Sequence, residues 1–122
     1  MVLDFSHATL GGRGPAVSRL GLSGTYRPGR DAFERALDAG VNYFFCYGFD
    51  GQTVGFLRGL PAGRREKVVV ATGAYNLIWT RQNLRKTLEK RLRQLKTDYI
   101  DVFQFLGVMK RKEFPEGLQE EL

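Results

Sequence analysis

Tyr47 and Asp50, three positions apart behind the run Asn42-Tyr43-Phe44-Phe45-Cys46, are the residues of this 122-residue sequence best suited to proton chemistry. A free phenol ionises at about pH 10, so near neutrality it donates or relays a proton only beside a cation or a hydrogen-bond partner. Asp50 is a candidate acid, expected in a turn next to Gly51. Side chains alternate along a strand, so Tyr43, Phe45 and Tyr47 share one face and Cys46 takes the other. Cys46 is the single cysteine and reads as a small buried hydrophobe, while the single histidine, His7, reads as a packing residue. Two such residues cannot make a Cys/His metal set, so no metal is expected.

These side chains need elements to hold them. Residues 5–16 read as a glycine-rich hairpin arm, and 17–24 as a first strand. Pro28-Gly29 marks a turn. Asp31 with Glu34 has capping-box spacing and opens a helix that Gly40 closes in a left-handed turn. The apolar run 41–47 predicts a second strand, 51–60 a short helix, and 66–74 a third strand centred on three valines. Thr80 is the expected cap of a helix over 81–96, with Leu84, Leu88, Leu92 and Leu95 on its apolar face. Residues 98–107 form a fourth strand, and Pro115 starts a final helix within 108–122. Strands alternating with helices predict a parallel α/β sheet with right-handed crossovers, in one domain over 1–122.

Composition narrows the partners. Hydrophobic residues make up 43% and charged residues 26%, as in a packed globular chain. No apolar run reaches the roughly 18 residues that span a bilayer, and the N-terminus shows no secretory signal. The lone cysteine fits a reducing, cytoplasmic setting. A net charge of +6 favours anionic partners. The arginines are scattered without an aromatic-rich binding motif, which argues against nucleic acid. Arg81, Arg85, Lys86, Lys90, Arg91, Arg93 and Lys96 on the long helix form either a solvated face or a docking face. Ending on Glu120-Glu121 without a capping glycine, the last helix reads as interrupted.

Three segments carry a resemblance: "ATLGGRGPAVSRLGLSGTY", "DAFERALDAGVNYFFCYG" and "LRKTLEKRLRQLKTDYIDVFQFLG", with "TDYIDVFQ" the most specific. Together, in this order, they resemble the aldo-keto reductase family over nearly the whole chain. The resemblance implies the N-terminal half of a TIM (β/α)8 barrel, whose full form needs about 250 residues. It also implies NADP(H), a small carbonyl ligand, and catalysis by tyrosine, aspartate, lysine and histidine at the C-terminal ends of barrel strands. The family's aspartate, from Asp-Thr-Ala closing its second strand, falls on Phe45; the lysine falls on Gly73 and the histidine on Leu106. Tyr47-Gly48 matches the catalytic Tyr-Gly after a deletion of about three residues, and Gly24, Thr25 and Tyr26 match a segment near the nicotinamide. The three replacements read as one change, because a buried aspartate without its lysine would be costly.

Three readings follow. The first is an aldo-keto reductase-like pseudoenzyme, defective in carbonyl reduction, with a binding or interaction role. The second is an active NADP-dependent oxidoreductase with Tyr47 as proton donor. The third is a basic interaction module using the helix near 81–96. A half-barrel leaves two open sheet edges, so either a homodimer or the remaining half of the barrel is expected to cover them.

Overall fold

A computed structural model of the chain describes residues 6–75 and 81–107, together with Lys110, Gly117 and Glu120. Two short strands, β1 (His7–Thr9) and β2 (Ala16–Ser18), pair antiparallel. The hairpin therefore extends to Ser18 and takes Val17 and Ser18 from the expected first strand, leaving β3 as Leu22–Ser23. A four-stranded parallel sheet follows in the order β3, β4 (Tyr43–Phe45), β5 (Val69–Tyr75), β6 (Val102–Leu106). Between the strands lie α1 (Arg30–Asp38), α2 (Gly51–Arg58), the single turn α3 (Ala62–Arg65) and α4 (Leu84–Leu95). The final helix expected from Pro115 falls outside the described residues.

The strands are shorter than their apolar runs because neighbouring residues have other partners. Gly40, at φ 95°, closes α1 in a Schellman turn: its N–H reaches Leu37 O at 3.1 Å and Val41 N–H reaches Ala36 O at 2.9 Å. Asn42 then ties the hairpin down, accepting from Ser18 N–H at 2.7 Å and donating to Ala16 O at 2.9 Å. His7 bridges the hairpin to α1 through a 3.2 Å contact between Nε2 and Gly40 O.

Two expected helix starts are corrected. α1 begins at Arg30 after Gly29, with no side-chain cap; Glu34 pairs with Arg64 of α3 at 2.7 Å instead of folding back onto Asp31. That pair holds the Glu34 carboxyl below its usual range, first through the Arg64 hydrogen bond. α4 begins at Leu84, capped by Asn83, whose side chain accepts from Lys86 N–H at 3.0 Å. Asn83 offers the short acceptor a cap needs; Thr80 lies outside the described residues.

Helices pack on one sheet face. Their shared core joins Phe33 of α1, Phe44 and Cys46 from β4 and its end, Phe56 and Leu57 of α2, Val68 and Val70, and Leu95 of α4. The Phe33, Phe44 and Phe56 rings lie 5.1–6.3 Å apart, centre to centre. Burying each contributes about 1.5–3 kcal/mol. Tyr43 and Phe45 consequently point to the opposite, concave face, as strand alternation requires.

α4 ends in a second Schellman turn, with Thr97 N–H on Leu92 O at 3.2 Å and Lys96 N–H on Arg93 O at 3.3 Å. Here the left-handed position, φ 52°, is an exposed lysine. A side chain in that conformation costs about 1 kcal/mol. Lys96→Gly is expected to raise stability by about 0.5–1 kcal/mol, read as a later urea midpoint at unchanged slope.

Candidate functional site

Parallel strands end together, so the C-terminal ends of β3–β6 form one mouth. Phe45 pairs in register with Ala71, Gly73 with Gln104, and Tyr75 with Leu106. Phe45, Gly73 and Leu106 thus share the concave face but climb it by two residues per strand, the stagger that a barrel requires. An added Cβ on Gly73 would run into the Gln104 carbonyl and come within 3.1 Å of the Leu106 Cγ. Gly73 and Leu106 are therefore neighbours, and the backbone leaves no room for a side chain between them.

Tyr47 sits just past β4, ringed by aromatics: Phe45 at 4.7 Å edge-on, Phe49 at 5.4 Å, and Tyr75 stacked at 6.1 Å with planes 9° apart. Among the described residues, no side chain hydrogen-bonds to its hydroxyl. Tyr75 lies two residues beyond Gly73, on the same face, so strand parity could have found it. Its phenol reaches the Tyr47 carbonyl at 3.4 Å. Burial pushes its pKa up to about 12 against the opposing pull of Arg91, keeping Tyr75 neutral across the physiological range.

Asp50 is the N-cap residue of α2 and is buried. One carboxylate oxygen accepts from Gly48 N–H at 3.1 Å; the other is buried without a partner, as is the Thr53 hydroxyl. Asp50 therefore braces the turn after Tyr47 rather than touching the phenol. Gly24 and Thr25 from the end of β3 share with Asp50 a cleft of about 500 Å³, also lined by Arg27, Phe49, Gly51 and Gln52. Tyr26 stands outside it, 95% exposed.

The largest departure from expectation is Arg91. Its place in the run of basic residues suggests a solvated face, but it is only 5% exposed. Its Nη2 donates to the Tyr47 carbonyl at 2.7 Å, its Nε to Thr72 Oγ1 at 3.2 Å and its Nη1 to Gln94 Oε1 at 3.1 Å. The buried side of α4 is Leu84, Thr87, Arg91 and Leu95. That spacing of three, four and four is helical, and it was the signal available for Arg91 and Thr87. Arg85, Lys86, Lys90, Arg93 and Lys96 do face solvent.

Cys46 faces the helices, fully buried. Burial first, and the charge of Asp50 second, push its thiol up to about 11 from 9.0. An acid whose pKa is raised by folding leaves stability intact below pH 9. The loss comes as pH rises from 9 to 11, where only the unfolded chain ionises, and is on the order of 2 kcal/mol. Cys46→Ala should flatten that alkaline decline in urea midpoints, and in the native protein the thiol should resist alkylation at pH 8.

Among the described residues no helix is long and apolar enough to cross a membrane, and no cluster of His, Cys, Asp and Glu is arranged to hold a metal. No protein-family model matches the sequence, and no curated protein matches it. Solved structures do match. One, from Pseudomonas aeruginosa and assigned as an aldo-keto reductase, superposes with a TM-score of 0.64 at 28% identity, over 81% of this chain and 45% of that one. An aldo-keto reductase from Bacillus halodurans, in its holo form, gives 0.63 at 25% identity, over 95% of this chain and 45% of its own. The chain is aldo-keto reductase-like over most of its length, its described residues form a partial α/β barrel, and it spans about half of each of these proteins.

Proposed function

We propose that this aldo-keto reductase-like chain binds a small carbonyl or planar apolar ligand at its mouth and does not carry out carbonyl reduction. The observation behind this is Gly73, pressed against the Gln104 backbone and the Leu106 side chain. The cation that would tune a tyrosine beside it has no place to sit, and Leu106 cannot donate a hydrogen bond to a carbonyl oxygen. Around Tyr47 the surroundings are aromatic, suited to stacking rather than to proton transfer.

NADP(H) is the cofactor that the fold family implies, and the described residues fit it poorly. Thr25 and Arg27 line one cleft, yet Asp50 lines it too, and an acidic side chain there disfavours a phosphate.

The test is NADPH oxidation across a broad panel of aldehydes and ketones, paired with quenching of tyrosine fluorescence by aromatic carbonyls. The expected result is quenching without turnover. Robust turnover abolished by Tyr47→Phe would overturn the reading and favour Tyr47 as a working proton donor.

A further inference from the structure

The geometry points to Arg91 as the positioning residue of the mouth: from the helix side of the sheet, it fixes the peptide that carries the Tyr47 ring. The inference deepens the reading of the mouth as the binding site and rests on it for its functional meaning. The last ladder bond along this strand is Cys46 N–H to Ala71 O at 2.8 Å. Beyond it the chain leaves the sheet, so sheet pairing no longer dictates where Tyr47 points.

Three consecutive carbonyls there are held by one network instead. Thr72 Oγ1 donates to Cys46 O at 2.7 Å, Arg91 Nη2 to Tyr47 O at 2.7 Å, and Gln94 Nε2 to Gly48 O at 2.7 Å. Arg91 joins the network together, because its other donors engage Thr72 and Gln94 themselves. Gly48 completes the fit. At φ 92° it makes the turn, and an added Cβ would run into the Arg91 guanidinium.

Packing alone gives no reason for this residue. Among the described residues Arg91 has no carboxylate within ion-pair distance, and a buried charge without a counter-ion is costly. A leucine would fill the same stripe on α4 without that cost. The guanidinium is the group that can meet three acceptors at fixed angles, and three acceptors around one turn are what it meets. Orientation of Tyr47, and through it the stack on Tyr75, then depends on a side chain that never reaches the mouth.

The experiment uses the whole chain without ligand, so its outcome stands apart from whether the mouth binds carbonyls. Arg91→Met and Arg91→Lys are compared with the parent by amide hydrogen exchange at Gly48 and Val70, and by the ring-current shifts of Tyr47 and Tyr75. In Arg91→Met, Gly48 exchange is expected to rise about tenfold or more while Val70 keeps its protection, with loss of the ring-current shifts. Arg91→Lys keeps the charge but not the fork and should recover little of either. If Arg91→Met does not fold, Arg91→Lys decides: Gly48 exchange raised to the same degree supports the assignment. Unchanged Gly48 exchange and ring shifts in a folded variant would overturn it, leaving Arg91 a packing residue.

Discussion

Gly73→Lys, which places a lysine where the family resemblance expects one, is expected to cost about 3 kcal/mol of stability and to yield no reductase activity. The obstacle is backbone. An added Cβ at Gly73 would overlap the carbonyl oxygen of Gln104, its partner in the β5–β6 register, and crowd the Leu106 side chain. Overpacking a tight site ordinarily costs about 1–3 kcal/mol, and the upper end applies when the group in the way cannot rotate aside. Separating β5 from β6 would also strain the ladder bonds between them. Gly73→Ala should show most of the cost, since the clash begins at Cβ. Urea midpoints for the pair, with NADPH oxidation measured beside them, check this. A Gly73→Lys protein as stable as the parent would mean that the strands can part, and that lysine is absent for other reasons.

Arg65→Ala should cost about 3 kcal/mol at the other end of the sheet. Arg65 ends α3 with its side chain buried, and its Nη2 lies 3.0 Å from the Asp101 carboxylate. The same side chain donates to Tyr99 O at 2.9 Å, Val68 O at 3.2 Å and Thr97 Oγ1 at 3.3 Å, and lies over the Tyr99 ring at 4.0 Å. Asp101 in turn accepts from Val70 N–H at 2.9 Å. One guanidinium thus joins the entry of β5 to the entry of β6. Removing one partner of a fully buried pair costs about 3–5 kcal/mol; here only Arg65 is buried and Asp101 reaches solvent, so the lower figure applies, with the three carbonyl and hydroxyl acceptors of Arg65 left unpaired as well. Arg65→Lys should recover less than half, since an ammonium cannot meet those acceptors at once. A loss under about 1 kcal/mol would place the contact with ordinary surface pairs.

Much of the architecture was legible because hydrophobic period reports burial. The alternation of strands and helices is present, the hairpin is where the glycines suggest, and Cys46 faces away from Tyr43 and Phe45. Apolarity does not report pairing, however. The run 41–47 is apolar almost throughout, yet only Phe44 and Cys46 are buried and only Tyr43–Phe45 forms a strand, because Asn42 serves the hairpin and Tyr47 serves the network under α4. The candidate site was less legible for a related reason. Arg91 is concealed by its charge, since a basic residue among basic residues suggests solvent until its helical spacing from Leu84 and Leu95 is weighed. Gly73 was read as a lysine position only through the resemblance, and that its position leaves no room for a side chain depends on where β6 runs, which no local pattern carries. Asp50 was in view as an acid; its work as a brace for Gly48 depends on a turn whose shape is set by residues 41 and 44 positions further along, Arg91 and Gln94.

The order of strands in the parallel sheet is the order of the chain: β3, β4, β5, β6. Each of β4, β5 and β6 pairs with the strand made just before it, and the helices between them pack on one face of the sheet. A chain of this kind can be assembled as it is synthesised, at about 5–20 residues per second, with each new strand docking on the free edge of its predecessor instead of waiting for a distant partner. No pairing in this sheet spans more than one crossover, which limits the entropic cost of loop closure at each step. The ribosome, delivering the chain from one end, and the sheet, growing from one edge, would work in the same direction.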